Sequence, residues 1–437
     1  MRLSERLDAL PLRAFHWRVV IASGLGWMFD AFDSGLVSFV LPVLVKEWGL
    51  TPAQVGQTAS TGLVGMFVGA VLVGSLADRF GRRALFQATL AIFSVATGLC
   101  GLAWSFASLL AMRFLVGFGL GGELPVASTL VTEFSPRAHR GKLVVVLESF
   151  WAFGWALAAV VAFLLIPTIG WRAAFFIGAV PVLYILYLRR AVPESPRFLQ
   201  ARGRHEEAQA VVRDVERRCG VEPAPLEPDD APPTEGARFA DLWKGPLARR
   251  TAMLWLLWFA MIYSYYGIFT WLPTLLVAQG HTLTRSFGYT LAITAAQIPG
   301  YFSAALLVDR WGRKPTLTAY MLGCSASAYA FGSAASPAEI VVWGCLLSFF
   351  NLGAWGVVYT YTPENYPTRV RATGSGWAVG FGRVGGILAP MVVAWLLGSW
   401  SGRTDLVFTV FAAVILVGVA AVVLLGEETK GRSLEAI

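Results

Sequence analysis

Six ionisable side chains lie inside stretches of sequence that are otherwise apolar: Asp30, Asp33, Arg113, Glu123, Glu148 and Arg383. A charge in such a setting is costly, and it marks either a structural ion pair or a functional group. Asp30 and Asp33 are three residues apart and share a helix face, while Glu148, Trp151 and Trp155 follow the i, i+3, i+7 face of another helix. If all four acids ionised beside two arginines, two negative charges would be left in excess. A buried site opposes that, so at least one acid is expected to carry a proton. Asp30, Asp33, Arg113 and Glu123 are the candidates for proton handling, although any one of the acids could instead be held in structural hydrogen bonds.

Arg383, in Gly382-Arg383-Val384-Gly385-Gly386, presents a planar guanidinium fork that matches a carboxylate. Aromatic residues gather in the same part of the chain: Tyr263, Tyr265, Tyr266, Trp271, Trp355, Tyr359, Tyr361 and Trp377. Some of these rings must face lipid or pack between helices, but as a group they suit a flat ring held between aromatic faces. The expected solute contacts are Arg383, Tyr263, Tyr265, Tyr266, Trp271, Trp355 and Tyr359, with Glu148, Trp151, Trp155 and Asn351.

The elements that position these groups follow from composition. The chain has 437 residues, of which 56% are hydrophobic and 14% charged, too few charges for an ordinary soluble protein. Apolar stretches long enough to cross a bilayer recur about twelve times, from 18–45 to 405–425. Of the 35 Lys and Arg residues, 29 fall in the two tails and in the connections on one side. Lys46, Arg172, Arg285 and Arg403 fall on the other side. By the positive-inside rule, both termini are cytoplasmic and the chain is a multi-pass membrane protein. The net charge of +8 is thus spent on topology, and nucleic acid is not an expected partner.

Cys100, Cys324 and Cys345 fall in or beside spans and Cys219 falls in a cytoplasmic loop, so no disulfide framework is expected. His16, His139, His205 and His281 are scattered, with no metal spacing and no nucleophile motif. Neither an enzyme nor a metal or cofactor site is expected. No removed signal peptide is read at the N-terminus.

The chain also repeats itself. Asp78-Arg79-Phe80-Gly81-Arg82-Arg83 recurs as Asp309-Arg310-Trp311-Gly312-Arg313-Lys314 at an offset of 231 residues. Glu133, Pro136 and Arg140 match Glu364, Pro367 and Arg371 at the same offset, as Leu41-Pro42 matches Leu272-Pro273. Two six-span halves follow, 1–191 and 250–437, joined by a cytoplasmic linker at 192–249. Halves repeated in parallel place a solute site between them near mid-membrane. Within the linker, Arg204 to Arg218 reads as a surface helix and Val221 to Ala237, rich in Pro, Asp and Glu, as disordered.

The loop from Gly74 through Asp78, Arg79, Gly81 and Arg82 to Arg83 makes chemical sense as a gate latch. Its glycines permit close approach and a tight turn, and Asp78 can accept hydrogen bonds from an arginine or a helix N-terminus across the interface. Asp309, Arg310 and Arg313 form its second copy, in which Ala305 replaces the leading glycine. Glu133 and Glu364 belong to the same gating sets. This loop resembles the signature of the major facilitator superfamily. Arg113-Phe114-Leu115-Val116-Gly117-Phe118-Gly119-Leu120-Gly121 resembles that family's pattern in its fourth span. The fold this implies is all-α, with twelve transmembrane helices in two pseudo-symmetric halves.

Pro193-Glu194-Ser195-Pro196-Arg197-Phe198 and Glu427-Glu428-Thr429-Lys430-Gly431-Arg432 are similar to the branch that holds sugar porters, organic-ion transporters and synaptic vesicle glycoproteins. Gly26-Trp27-Met28-Phe29-Asp30-Ala31-Phe32-Asp33, Gly121-Gly122-Glu123-Leu124-Pro125 and Phe350-Asn351-Leu352-Gly353-Ala354-Trp355 together resemble the bacterial niacin transporters. Span 7 lacks the paired glutamines of sugar porters and offers Tyr263, Tyr265 and Tyr266 instead. The resemblance implies import of nicotinate, and also of nicotinamide as a further solute, by proton symport with alternating access in a monomer. Two alternatives stay open at this level: a carrier of another aromatic acid or of an organic cation, and a membrane receptor that does not transport.

Overall fold

All regular structure among the described residues is helical. That is what apolar runs of this length require, because in hydrocarbon every backbone N–H and C=O must be satisfied within its own segment. The computed structural model describes residues 3–80, 82–136, 139–184, 187, 193–201, 203–222, 239–367, 370–399 and 403–430. Its side-chain description omits 3–5, 74, 75, 77–80, 82, 83, 122–129, 140, 141, 145, 197, 201 and 372. Gly74, Asp78, Arg79, Gly81, Arg82 and Glu123 therefore lie outside the described residues or side chains, as does most of the segment expected to be disordered.

Twelve helical segments answer to the expected spans, and among the described residues eight are long and apolar enough to cross a membrane. Spans 1 to 6 are Ala14–Trp48, Pro52–Phe80, Arg82–Cys100, Phe106–Phe134, Arg140–Ile169 and the apolar segment Trp171–Tyr184. Spans 7 to 12 are Pro246–Ala278, Leu283–Trp311, Arg313–Gly332, Pro337–Glu364, Arg371–Ser399 and Thr404–Leu425. Span starts are written in the sequence. Ser105 caps span 4 through a reciprocal pair with Ser108, and Ser336 caps span 10 through one with Glu339, followed by Pro337. Span 8 is broken at Ala296, where Leu283–Ala295 ends and Gln297–Trp311 begins. Pro299 has no N–H to offer the Ala295 carbonyl, which accounts for the break.

Contacts divide the chain into two units. The first is Met1–Asp33, Val64–Gly154 and Arg172–Pro233; the second is Ser34–Leu63, Trp155–Trp171 and Thr234–Ile437. In the first unit, glycines set the distance between spans 2 and 4. A Cβ on Gly65 would lie 2.3 Å from the Phe114 carbonyl oxygen, and one on Gly121 would lie 2.0 Å from that of Met66. Only glycine permits this approach. In the same unit the linker helix His205–Cys219 occupies the position expected of it and buries one face through Ala208, Val212, Val215 and Cys219. The short N-terminal helix Leu3–Asp8 docks on it, with Arg6 Nε donating to Glu216 Oε1 at 2.6 Å in a buried ion pair.

In the second unit, the 34–63 and 155–171 segments pack on the C-terminal spans. Gly56 lies against the Pro390 carbonyl, Ser60 Oγ donates to the Ile387 carbonyl at 2.8 Å, and the Phe39 and Phe287 rings meet edge to face at 5.3 Å. Span 11 lies close on span 7 because Gly382 and Gly385 face the Trp258 and Phe259 carbonyls, 2.9 and 2.8 Å from where a Cβ would sit.

Candidate functional site

The first unit holds a buried ion pair. Asp33 on span 1 and Arg113 on span 4 meet at 2.8 Å, with side-chain exposures of 0% and 5%. The second carboxylate oxygen of Asp33 accepts from Thr97 Oγ1 of span 3 at 2.6 Å. The carboxylate thus has a cation on one oxygen and a hydroxyl on the other, which is how a charge remains tolerable away from water. The Cys100 thiol lies beside the same guanidinium. Of the two aspartates on this helix face, the structure puts Asp33 in the Arg113 pair, while Asp30 is fully buried nearby on the same helix.

The corresponding helix junction in the second unit is neutral. Ser264 of span 7, which the 231-residue offset places opposite Asp33, is approached by Asn351 Nδ2 of span 10 at 3.3 Å. The same amide reaches Cys324 Sγ of span 9 at 3.5 Å. At the same offset Gly344 stands opposite Arg113 and Ala328 opposite Thr97, so the second repeat lacks the side chains that make up the Asp33–Arg113–Thr97 cluster.

Arg383 of span 11 is half-buried, and Tyr266 and Tyr359 face its guanidinium. A chain of rings connects those two tyrosines. Tyr266 meets Tyr265 at 5.5 Å, Tyr265 meets Trp355 at 6.1 Å, and Trp355 meets Tyr359 at 5.6 Å. Trp258 braces the far end, 5.4 Å from Trp355 and 5.5 Å from Tyr359, and its indole N–H donates to Thr362 at 2.9 Å. Behind the chain, Trp155 lies edge-on to Tyr265 and Phe269 and is fully buried. A guanidinium bordered by half-exposed aromatic rings is suited to a planar anion, with the fork on the charge and the rings on its faces.

Other expected contacts are placed elsewhere. Tyr263 is buried on the opposite side of span 7, stacked on Phe259 and edge-on to Phe411 of span 12. Trp271 and Asn351 are almost wholly buried. Trp377, of the same aromatic group, stacks with Trp255 beside Phe239. Trp151 lies in the first unit, 4.6 Å from the Trp27 ring. Thr97, Ser264 and Trp27 are site neighbours that residue type alone did not single out, because a lone threonine, serine or tryptophan in an apolar span is ordinary.

Among the gating residues, the second signature loop is fully on view. Gly312 turns the chain at φ +102, a conformation that favours glycine. Arg313 then pairs with Glu364 through Nε at 3.0 Å and Nη2 at 3.0 Å, and Thr429 Oγ1 donates to the same glutamate at 2.6 Å. Glu428 accepts the backbone N–H groups of Arg313 and Lys314, both at 3.0 Å, capping span 9. Burial pushes the Glu428 carboxyl up, but the N–H groups of Lys430, Arg313, Lys314 and Thr429 outweigh it and hold the group below the usual glutamate range. The Arg310 carbonyl accepts from Lys430 Nζ at 2.8 Å. Asp309 is exposed and lies 3.4 Å from Arg313. In the first unit Ser195 Oγ donates to Glu133, as Thr429 does to Glu364.

Ionisable groups concentrated within membrane helices, in a chain built of two six-helix repeats, define a membrane transporter with the major facilitator fold. The family model described as "Sugar (and other) transporter" matches residues 19–437, and the chain belongs to that family. It is 50% identical over 440 residues to the niacin transporter NiaP of Acinetobacter baylyi, covering 100% of both chains. It is 43% identical over 413 residues to a Bacillus subtilis protein named for niacin/nicotinamide transport, covering 94% of this chain and 96% of that one. Among solved structures, the partially occluded inward-open xylose transporter XylE of E. coli aligns with a TM-score of 0.77. That alignment covers 96% of this chain and 100% of the other at 18% identity, a likeness of fold.

Proposed function

We propose that this chain imports nicotinate across a bacterial inner membrane by proton symport, with both termini in the cytoplasm and the monomer as the working unit. The observation that carries the solute class is Arg383, a half-buried arginine among Tyr266, Tyr265, Trp355 and Tyr359. Nicotinate is a flat ring bearing a carboxylate, and its two recognition needs are a cation and aromatic faces. The name of the Acinetobacter baylyi relative supports the same solute. Nicotinamide shares the ring but lacks the charge, so on this reading it binds more weakly.

Proton coupling is assigned to Asp33 and Arg113. Protonation of Asp33 would release Arg113, and re-ionisation would restore the pair, giving the helix junction two arrangements that a proton selects. The neutral Ser264–Asn351 junction of the other repeat supports confining this role to the first. The signature loops, with Glu133 and Glu364, serve as latches as the repeats alternate access.

Counterflow in liposomes with radiolabelled nicotinate tests the solute assignment. Arg383→Ala is expected to lower exchange at least tenfold, the scale of a lost charge-assisted hydrogen bond, and Arg383→Lys to recover part of it. Undiminished exchange in Arg383→Ala would refute the carboxylate role.

A further inference from the structure

Trp377 belongs to a second array of rings, built within the C-terminal unit where the linker meets spans 7 and 11. Trp255 of span 7 stacks on Phe381 of span 11 at 4.5 Å and on Trp377 at 6.4 Å. The short 3-10 helix Phe239–Trp243, which closes the linker, covers the outer end of this stack. Phe239 meets Trp377 at 4.6 Å, and Trp243 meets Trp255 edge to face at 5.2 Å. Inward, Phe381 meets Phe259 at 6.0 Å, Phe259 stacks on Tyr263, and Tyr263 reaches Phe411 of span 12. The rings therefore run along span 7 with span 11 on one side and span 12 on the other.

The outer end of the array is open: Phe239, Trp243 and Trp377 are 43%, 41% and 48% exposed. Rings of this size are costly to leave in water, whereas at the boundary of a bilayer their apolar bodies meet lipid and their N–H groups meet headgroups. The charges beside them suit a phosphate. Lys244 follows Trp243 directly and meets Asp241 at 2.7 Å with its own side chain 72% exposed. Arg249 is exposed and donates to the Leu425 and Leu424 carbonyls at 3.0 and 3.1 Å, and among the described residues no acid pairs with it. The stretch 238–250 holds four basic residues against one acid, a density beside a span that attracts anionic headgroups. A zwitterionic headgroup would set its own ammonium beside Lys244 and gain less.

We propose that this array is a binding site for an anionic phospholipid of the leaflet on the linker side. The phosphate lies on Lys244 and Arg249, and the glycerol backbone and upper acyl chains lie against Phe239, Trp243 and Trp377. A lipid held there covers the three open rings and ties the end of the linker to spans 7 and 11. The solute and proton assignments do not enter into it.

The test is native mass spectrometry of the purified full-length protein in detergent, titrated with dioleoylphosphatidylglycerol and, separately, dioleoylphosphatidylcholine. The wild type is expected to retain phosphatidylglycerol more tightly than phosphatidylcholine. Lys244→Ala should weaken phosphatidylglycerol about fivefold, the scale of one juxtamembrane charge, and leave phosphatidylcholine unchanged. The double variant Phe239→Ala/Trp243→Ala should weaken both lipids. Trp104→Ala, which removes a ring 77% exposed in the connection between spans 3 and 4, should change neither. Equal retention of the two lipids by the wild type, or wild-type retention of phosphatidylglycerol by both the Lys244 and the double variant, would overturn the proposal. So would a two-chain mass in lipid-free spectra that the double variant abolishes, which would make the occupant a second copy of the chain.

Discussion

Gly69 and Gly300, 231 residues apart, make the same contact. A Cβ added at either would lie 2.1 Å from the carbonyl oxygen of the phenylalanine 49 positions further along, Phe118 for the first and Phe349 for the second. The offset first read from the signature loops therefore also governs how span 2 meets span 4 and how span 8 meets span 10. Backbone atoms cannot yield as a flexible side-chain tip would. Gly69→Ala and Gly300→Ala are each expected to destabilise the protein by about 1–3 kcal/mol, the usual cost of overpacking. Thermal unfolding in detergent measures this, with Gly376→Ala, a helical site with open space around it, as the control that should shift little.

The Asp33–Arg113 pair separates coupling from transport. Asp33→Asn should abolish nicotinate accumulation driven by an imposed pH gradient while counterflow continues, since exchange needs no net proton movement. Arg113→Ala should be worse for the fold, because it leaves a buried carboxylate without its cation, at a cost of about 3–5 kcal/mol. Gradient-driven accumulation by Asp33→Asn at the wild-type level would assign the proton elsewhere.

Glu428 predicts a pH dependence outside the membrane. Its carboxyl lies below the usual glutamate range in the folded protein, so its contribution is fully present above the unfolded value and is lost as pH falls through the folded one. The cap on span 9 is thus present at neutral pH and weakens in acid. Comparing melting temperatures of the wild type and Glu428→Gln from pH 7 downwards, the gap should narrow as the pH drops below about 4.5.

Much of this architecture was legible in the sequence. Hydropathy gave the spans, and the repeated Asp-Arg-x-Gly-Arg segment gave the halves, because local composition and a fixed offset need no tertiary knowledge. The linker helix could be read from the spacing of Val211, Val212 and Val215, but its partner Arg6 lies 210 residues from Glu216, beyond any local pattern. Asp30 and Asp33 share a face, so only the packing of spans 3 and 4 decides that Asp33 takes Arg113 and Thr97. Tyr263 and Tyr265 are about 200° apart around a helix. That angle already separates them, and the structure sends Tyr263 to Phe411 and Tyr265 to Trp355. Trp377 belonged to the same aromatic group by residue type, yet it stacks with Trp255 beside Phe239, a pairing that only the packing of spans 7 and 11 decides.

The central claim is that this chain carries nicotinate, and uptake of labelled nicotinate into liposomes holding the purified wild-type protein tests it most directly. The account predicts saturable uptake, competed by unlabelled nicotinate and enhanced when the outside is made more acidic than the inside. Uptake no greater than in protein-free liposomes, at every nicotinate concentration and gradient tried, would contradict it.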